Sequence, residues 1–178
     1  MSMPVDSTPP RIDSVEELLA HALAMEREAA ERYGELADQM ETFHNPEVAE
    51  FFRTMARHEA RHVDEITDLA TGMILPELAP WEYKWQTPEA PETPSTGETH
   101  YLMTPYHAVR LALRHERLAR RFYNRVAEYT PNAEVRALAR QFAQEEDEHV
   151  RHLERWLERL PVPETGWAED PDPPTTQE

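Results

Sequence analysis

The sequence predicts an all-α fold, a four-helix bundle of two antiparallel helix pairs joined by one long crossover. Three observations carry that prediction. The sixteen prolines fall outside or at the edges of four long stretches, residues 11–45, 47–75, 106–130 and 132–160. Only four glycines occur in 178 residues. The four stretches are rich in Ala, Leu, Glu and Arg, which favour helix, and poor in the two residues that interrupt it.

The first helix is expected over 14–40, opened by the Ser14-x-x-Glu17 capping box. Gly34 lies inside it, directly after Tyr33, at a cost of ~1 kcal/mol relative to Ala. A close approach by a neighbouring helix would account for it. The second helix is expected over 46–71, with Asn45 as cap, Pro46 in the first turn and Gly72 at the stop. The third begins at Thr104-Pro105 and runs over 105–129. The fourth runs over 132–160, with Thr130 and Asn132 both able to cap it. Short links within each pair favour antiparallel neighbours. The link between the pairs, 72–104, carries five prolines together with Trp81, Tyr83, Trp85 and Tyr101. It reads as a covering strap that runs the length of the bundle rather than a substrate-gating lid. The bundle therefore spans 13–160. Residues 1–12 and the acidic, Pro-rich tail 161–178 are expected to be flexible.

Composition removes several function classes. With 35 acids against 18 bases the net charge is -17, the wrong sign for nucleic acid or an anionic membrane surface. Cysteine is absent, which excludes disulfides, thiolate catalysis, iron–sulfur clusters and Cys-ligated zinc. No apolar run is long enough to span a bilayer and no signal peptide is visible, so a cytoplasmic protein is expected. The seventeen Arg and single Lys read as solvated helix faces.

Inward positions of a bundle helix recur at spacings of three and four. Tyrosines aside, six ionisable residues occupy those seams: Glu26 in the first helix, Glu59 and His62 in the second, Glu116 in the third, Glu146 and His149 in the fourth. The halves repeat. E-R-x-A-x-x-x-Y occurs at Glu26–Tyr33 and Glu116–Tyr123, and E-x-x-H-V at Glu59 and Glu146, with offsets of 90 and 87 residues. An internal duplication with an approximate twofold axis is the simplest account.

One E-x-x-H says little, because 27 Glu and nine His give about 1.4 matches by chance. A third copy, Glu41-x-x-His44, lies off the seam and is set aside. A lone seam Glu usually tilts to water and a lone seam His is usually a satisfied core residue. The conjunction is what is specific: two copies in the seam, each preceded by a helix carrying a seam Glu. Four carboxylates in one core layer repel one another and lose hydration, and no seam position offers Lys or Arg. Two divalent cations neutralise them, and Glu and His three apart on a helix reach the same layer. One Glu from each of two helices plus E-x-x-H from each of the other two is the ligand pattern of di-iron and di-manganese carboxylate bundles. Tyr33 and Tyr123 either donate to a ligand carboxylate or are core aromatics satisfied elsewhere. His21, His58, His115 and His152 flank the seams and read as surface residues.

On the residues E-R-E-A-A-E-R-Y (26–33), E-A-R-H (59–62), E-R-L-A-R-R-F-Y (116–123) and E-D-E-H (146–149), the sequence resembles the rubrerythrin branch of the ferritin-like superfamily over 14–160. The resemblance implies a ferritin-like bundle with a non-haem di-iron centre that reacts with hydrogen peroxide or oxygen. It makes Glu26 and Glu116 terminal ligands, Glu59 and Glu146 bridging carboxylates, and His62 and His149 one cap for each metal. It also implies a homodimer. Two departures stand out. Rubrerythrins often carry a further Glu three residues after the third-helix ligand, where this chain has Ala119. Many carry a Cys₄ rubredoxin module, and this chain has no cysteine, so a peroxidase cycle requires an external electron-transfer partner. The alternatives are a ferritin-like iron oxidase or storage protein, a di-manganese catalase, and a metal-free helical interaction protein. Glu/His shells accept manganese and zinc as well as iron.

Overall fold

The computed structural model describes residues 10–85 and 89–168. Among them are four α-helices and no strand: α1 (Val15–Thr42), α2 (Pro46–Leu69), α3 (Pro105–Tyr129) and α4 (Ala133–Leu157). α1 packs along α2 and α3 along α4, with lighter contact between the pairs. This is the ferritin-like four-helix bundle that the sequence predicts.

The starts follow local chemistry. Ser14 Oγ accepts the Glu17 amide at 3.1 Å, and Asn132 Oδ1 accepts the amides of Glu134 and Val135. Each satisfies an amide that the first helical turn leaves without a partner. Of the two possible caps for α4, Asn132 serves. Thr130 instead donates to the Ile12 carbonyl at 2.7 Å, tying the chain ahead of α1 to the α3–α4 corner. Ile12 is fully buried there. The remainder of the two expected flexible ends, 1–9 and 169–178, lies outside the described residues. At the α1–α2 corner His44 adopts φ 57°. The Asn45 amide bonds to the Met40 carbonyl and the His44 amide to that of Glu41. That is the Schellman end of a helix, so the third E-x-x-H serves the turn.

The core has two parts. Tyr33, Leu36, Phe52 and Val109 belong to one apolar cluster, and Leu18, Met25, Phe122 and Phe142 to another. The seam carboxylates lie in the layer between them. The crossover runs along α1 from end to end. The Lys84 amide donates to His21 Nε2, the Ala90 amide to Glu28 Oε1, Arg32 Nη1 to the Pro94 carbonyl, Thr99 Oγ1 to Gln39 Oε1, and Asn45 Nδ2 to the Met103 carbonyl. This strap corrects the expectation that His21 and His115 are surface residues: they are 0% and 6% exposed. Helical periodicity identifies the face turned toward other helices, but it is blind to a loop that covers the opposite face. His152 is exposed as expected, while His58 is half-buried. Gly34 has no neighbour within 4 Å of where a Cβ would sit, so no close helix approach explains it.

Candidate metal centre

The six seam residues converge as two matching half-sites. In the α1–α2 pair, His62 Nδ1 lies 3.4 Å from Glu26 Oε2 and 3.6 Å from Glu59 Oε2. In the α3–α4 pair, His149 Nδ1 lies 3.2 Å from both Glu116 Oε2 and Glu146 Oε2. The i,i+3 spacing puts each Glu–His pair on one helix face, and the antiparallel partner supplies the second Glu. The imidazoles of His62 and His149 stack across the interface at 4.7 Å. All four seam glutamates are almost completely shielded from water.

The structure adds two residues that the seam pattern missed. Glu92, from the crossover, is 0% exposed. Its carboxylate groups with Glu26 and Glu146, and also with Glu59 and Glu116, with ligand atoms in each set within 4.8 Å of one another. It therefore faces both half-sites. The second residue is His58, whose ring lies 4.4 Å from that of His62 and 4.6 Å from that of His149. His58 stands three positions after the seam Met55 and four before the seam His62, so helical spacing could have flagged it. Nothing periodic marks Glu92. Its only signal is Ala90-Pro91-Glu92-Thr93-Pro94, a turn-forming string with one charge among prolines.

Five carboxylates confined in a dry layer do not ionise freely. Burial and mutual repulsion raise Glu26, Glu59, Glu92 and Glu146 well above the usual carboxylate range. Burial also pushes Glu116 up, but hydrogen bonding and charge from His149 outweigh it and hold it below that range. Burial opposes charge on His149, yet its bond to Glu116 leaves it raised. His62 and His58 are pushed down to about 3 and about 4, first by burial and then by the neighbouring imidazoles. Buried polar groups are normally hydrogen-bonded. Here both oxygens of Glu59 and Glu92, Glu26 Oε2 and Glu116 Oε1 have no such partner among the described residues. Hard carboxylate oxygens left without hydrogen-bond donors, and packed with imidazoles closely enough to share an ion, fit divalent metals.

The tyrosines cross between the halves. Tyr33 is fully buried with a hydroxyl that lacks a partner, and Glu116, Glu59 and Glu92 add to the burial that raises it. Tyr123 is raised by burial and then by Glu26, Glu146 and Glu92. The carboxylates thus act on both hydroxyls, and that of Tyr33 has no hydrogen-bond partner, on a seam carboxylate or elsewhere, among the described residues. The position of the further rubrerythrin Glu is Ala119, buried at 0% exposure.

The layer is reached from the α2–α4 side. A cleft of about 430 Å³ opens between α2 and α4, lined by Ile66, Gln141 and Phe142 and rimmed by Glu65, Asp68 and Glu145, with Glu26, His62 and Glu146 at its floor. Among the described residues no helix is long and apolar enough to cross a membrane.

The rubrerythrin family model matches residues 17–160. A crystal structure of an uncharacterized conserved protein from Magnetospirillum magnetotacticum MS-1 is 45% identical to this chain. That match covers 85% of this chain and 98% of that one, with a TM-score of 0.65. No curated protein matches.

Proposed function

The chain belongs to the rubrerythrin family, and on that premise we propose that it is a di-iron oxidoreductase that reduces hydrogen peroxide or oxygen. The observation that carries this reading is the pair of facing half-sites, whose buried carboxylate oxygens lack partners. The family and these donor groups make the chain a metal-binding, ferritin-like protein; iron and peroxide chemistry are the proposal.

Glu26, Glu59 and His62 would hold one iron, and Glu116, Glu146 and His149 the other. Ferrous iron supplies the electrons and the Lewis acidity for splitting an O–O bond. The chain does the rest. Its carboxylates balance the metal charge, and the two apolar clusters exclude bulk water from the layer. The acidic cleft attracts cations and admits a molecule as small as peroxide. Two protons accompany the two electrons that convert peroxide to two waters. His58 is placed to pass them inward from solvent: its side chain is 30% exposed and its Nδ1 lies 3.7 Å from Glu59 Oε1. With no cysteine in the chain, an external electron-transfer partner restores the ferrous state, and the working assembly is a homodimer.

The test is anaerobic loading with ferrous iron, followed by rapid mixing with peroxide and, separately, with oxygen. Two irons per chain and oxidation faster with peroxide than with oxygen are expected. Oxidation no faster than that of free ferrous iron overturns the reading. A closed shell holding far more than two irons per chain replaces it with storage, and peroxide turnover without reductant by a manganese-loaded protein replaces it with catalase.

A further inference from the structure

We propose that Glu92 is itself a metal ligand, a fifth carboxylate shared by both half-sites, so that the crossover forms part of the centre. The inference rests on the dinuclear reading above and goes beyond it. The duplicated helices supply a symmetric set of six donors, and Glu92 has no counterpart in that repeat.

The local chain is built to deliver it. Residues 90–94 are all buried. The Thr93 amide bonds to the Ala90 carbonyl at 3.0 Å, closing a β-turn with Pro91 and Glu92 at its tip. Proline presets the backbone angle for the first tip position, leaving Glu92 as the residue carried furthest in. Three anchors hold the turn at depth. Arg32 Nη1 donates to the Pro94 carbonyl at 2.7 Å, His115 Nδ1 donates to the Pro91 carbonyl at 3.1 Å, and the Ala90 amide donates to Glu28 Oε1 at 3.4 Å. Arg32 and Glu28 come from α1, near Glu26, while His115 precedes Glu116 on α3. The turn thus bridges the two helices that carry the lone seam glutamates.

At the end of this insertion both Glu92 oxygens lack a hydrogen-bond partner among the described residues, at 0% exposure. A carboxylate serving only to fasten the strap would meet a donor. This one meets Glu26 and Glu146 on one side and Glu59 and Glu116 on the other, within 4.8 Å. Oxygen ligands lie ~2–2.6 Å from a divalent ion, so each of these sets can close on a common ion. Metal binding should accordingly clamp the crossover onto the bundle.

The experiment uses the full chain, manganese(II) as probe, and Glu92→Gln, which keeps the shape and removes the charge. Glu77→Gln, on an exposed part of the crossover, is the control. Calorimetric titration gives stoichiometry and affinity, chymotrypsin reports crossover protection, and melting of the metal-free forms reports folding. The wild type should bind two ions and slow cleavage within 72–104 about tenfold. Glu92→Gln should melt no lower than wild type without metal, bind at least one ion about tenfold more weakly, and lose most of the protection. Two ions bound as tightly by Glu92→Gln, with full protection, overturn the proposal and leave the dinuclear site intact. Failure of the wild type to bind manganese or iron overturns both.

Discussion

The two sides of the metal layer are built differently. On the α1–α3 side a proline turn is pressed into the bundle and pinned by Arg32 and His115. On the α2–α4 side three imidazoles crowd together and a cleft of about 430 Å³ opens between acidic side chains. The helices repeat their chemistry in two matching half-sites, but a single crossover can close only one side. A duplicated bundle thereby acquires a closed side and an entrance. The symmetric part sets what can be bound, and the unsymmetric part sets how it is reached.

The largest expected effect treats the half-sites as equals. Glu59→Ala and Glu146→Ala should each abolish loading of two metals per chain, while exposed Glu31→Ala should leave it intact. Elemental analysis of reconstituted protein decides this. Unchanged loading in either ligand variant would remove the ligand assignment and the symmetry with it.

Next comes the entrance. Reversing charge at Glu65 and Glu145 together, both to Lys, should slow ferrous uptake about tenfold at low ionic strength. The effect should shrink in salt as screening shortens the reach of these charges, and final stoichiometry should not change. Asp38→Lys, remote from the cleft, should be silent. Stopped-flow uptake that is slowed equally by both changes would mean that the cleft is not the route.

The third effect concerns the layer as a whole. In metal-free protein Glu26, Glu59, Glu92 and Glu146 are raised above 4.5 by burial and by one another. The folded state then binds more protons than the unfolded chain, so stability falls as pH rises through the folded values. His58 and His62, depressed from 6.5 to about 4 and about 3, act the other way, but only below 6.5, where the unfolded imidazoles take up protons. His149, raised above 6.5, loses its contribution as pH climbs past its folded value. Above pH 6.5 the terms that still change therefore point downward. Metal-free protein should melt about 3–6 °C lower at pH 8.5 than at pH 6.5, an interval worth ~1–2 kcal/mol at this size. Manganese-loaded protein should show little of that slope, because the cations replace the protons. A flat metal-free profile measured by calorimetry would show that the layer is better hydrated than its geometry indicates.

These contrasts also explain what could be read from the sequence. Helix positions and the six seam donors were legible because packing against neighbouring helices imposes a spacing of three and four, and the duplication displayed it twice. The buried His21 and His115 were not, because periodicity ranks helix faces by their helical neighbours and these two are covered by loop. Glu92 was hidden for the same reason. Its depth comes from a turn and three hydrogen bonds made by residues far apart in the chain, and no repeat marks it. The Pro-Glu-Thr-Pro string shows a turn without showing that the turn points inward.

The smallest effect asks how the closed side is closed. The crossover touches α1 at Glu28, Arg32 and Gln39, and Gly34 lies between the last two. Helical rotation nevertheless turns position 34 roughly 140° away from the face that those three residues share. Nothing lies within 4 Å of the missing Cβ, so a side chain at 34 meets neither the strap nor a neighbouring helix. Gly34→Ala should therefore act only through the helix, whose unfolded chain gives up less backbone freedom with alanine than with glycine. That gain is ~1 kcal/mol, or roughly 2–4 °C in Tm, with no change in chymotryptic protection of 72–104. Destabilisation, or faster cleavage of the crossover, would mean that position 34 does bear on a neighbour and that the strap reaches beyond the face of α1 marked by its anchors.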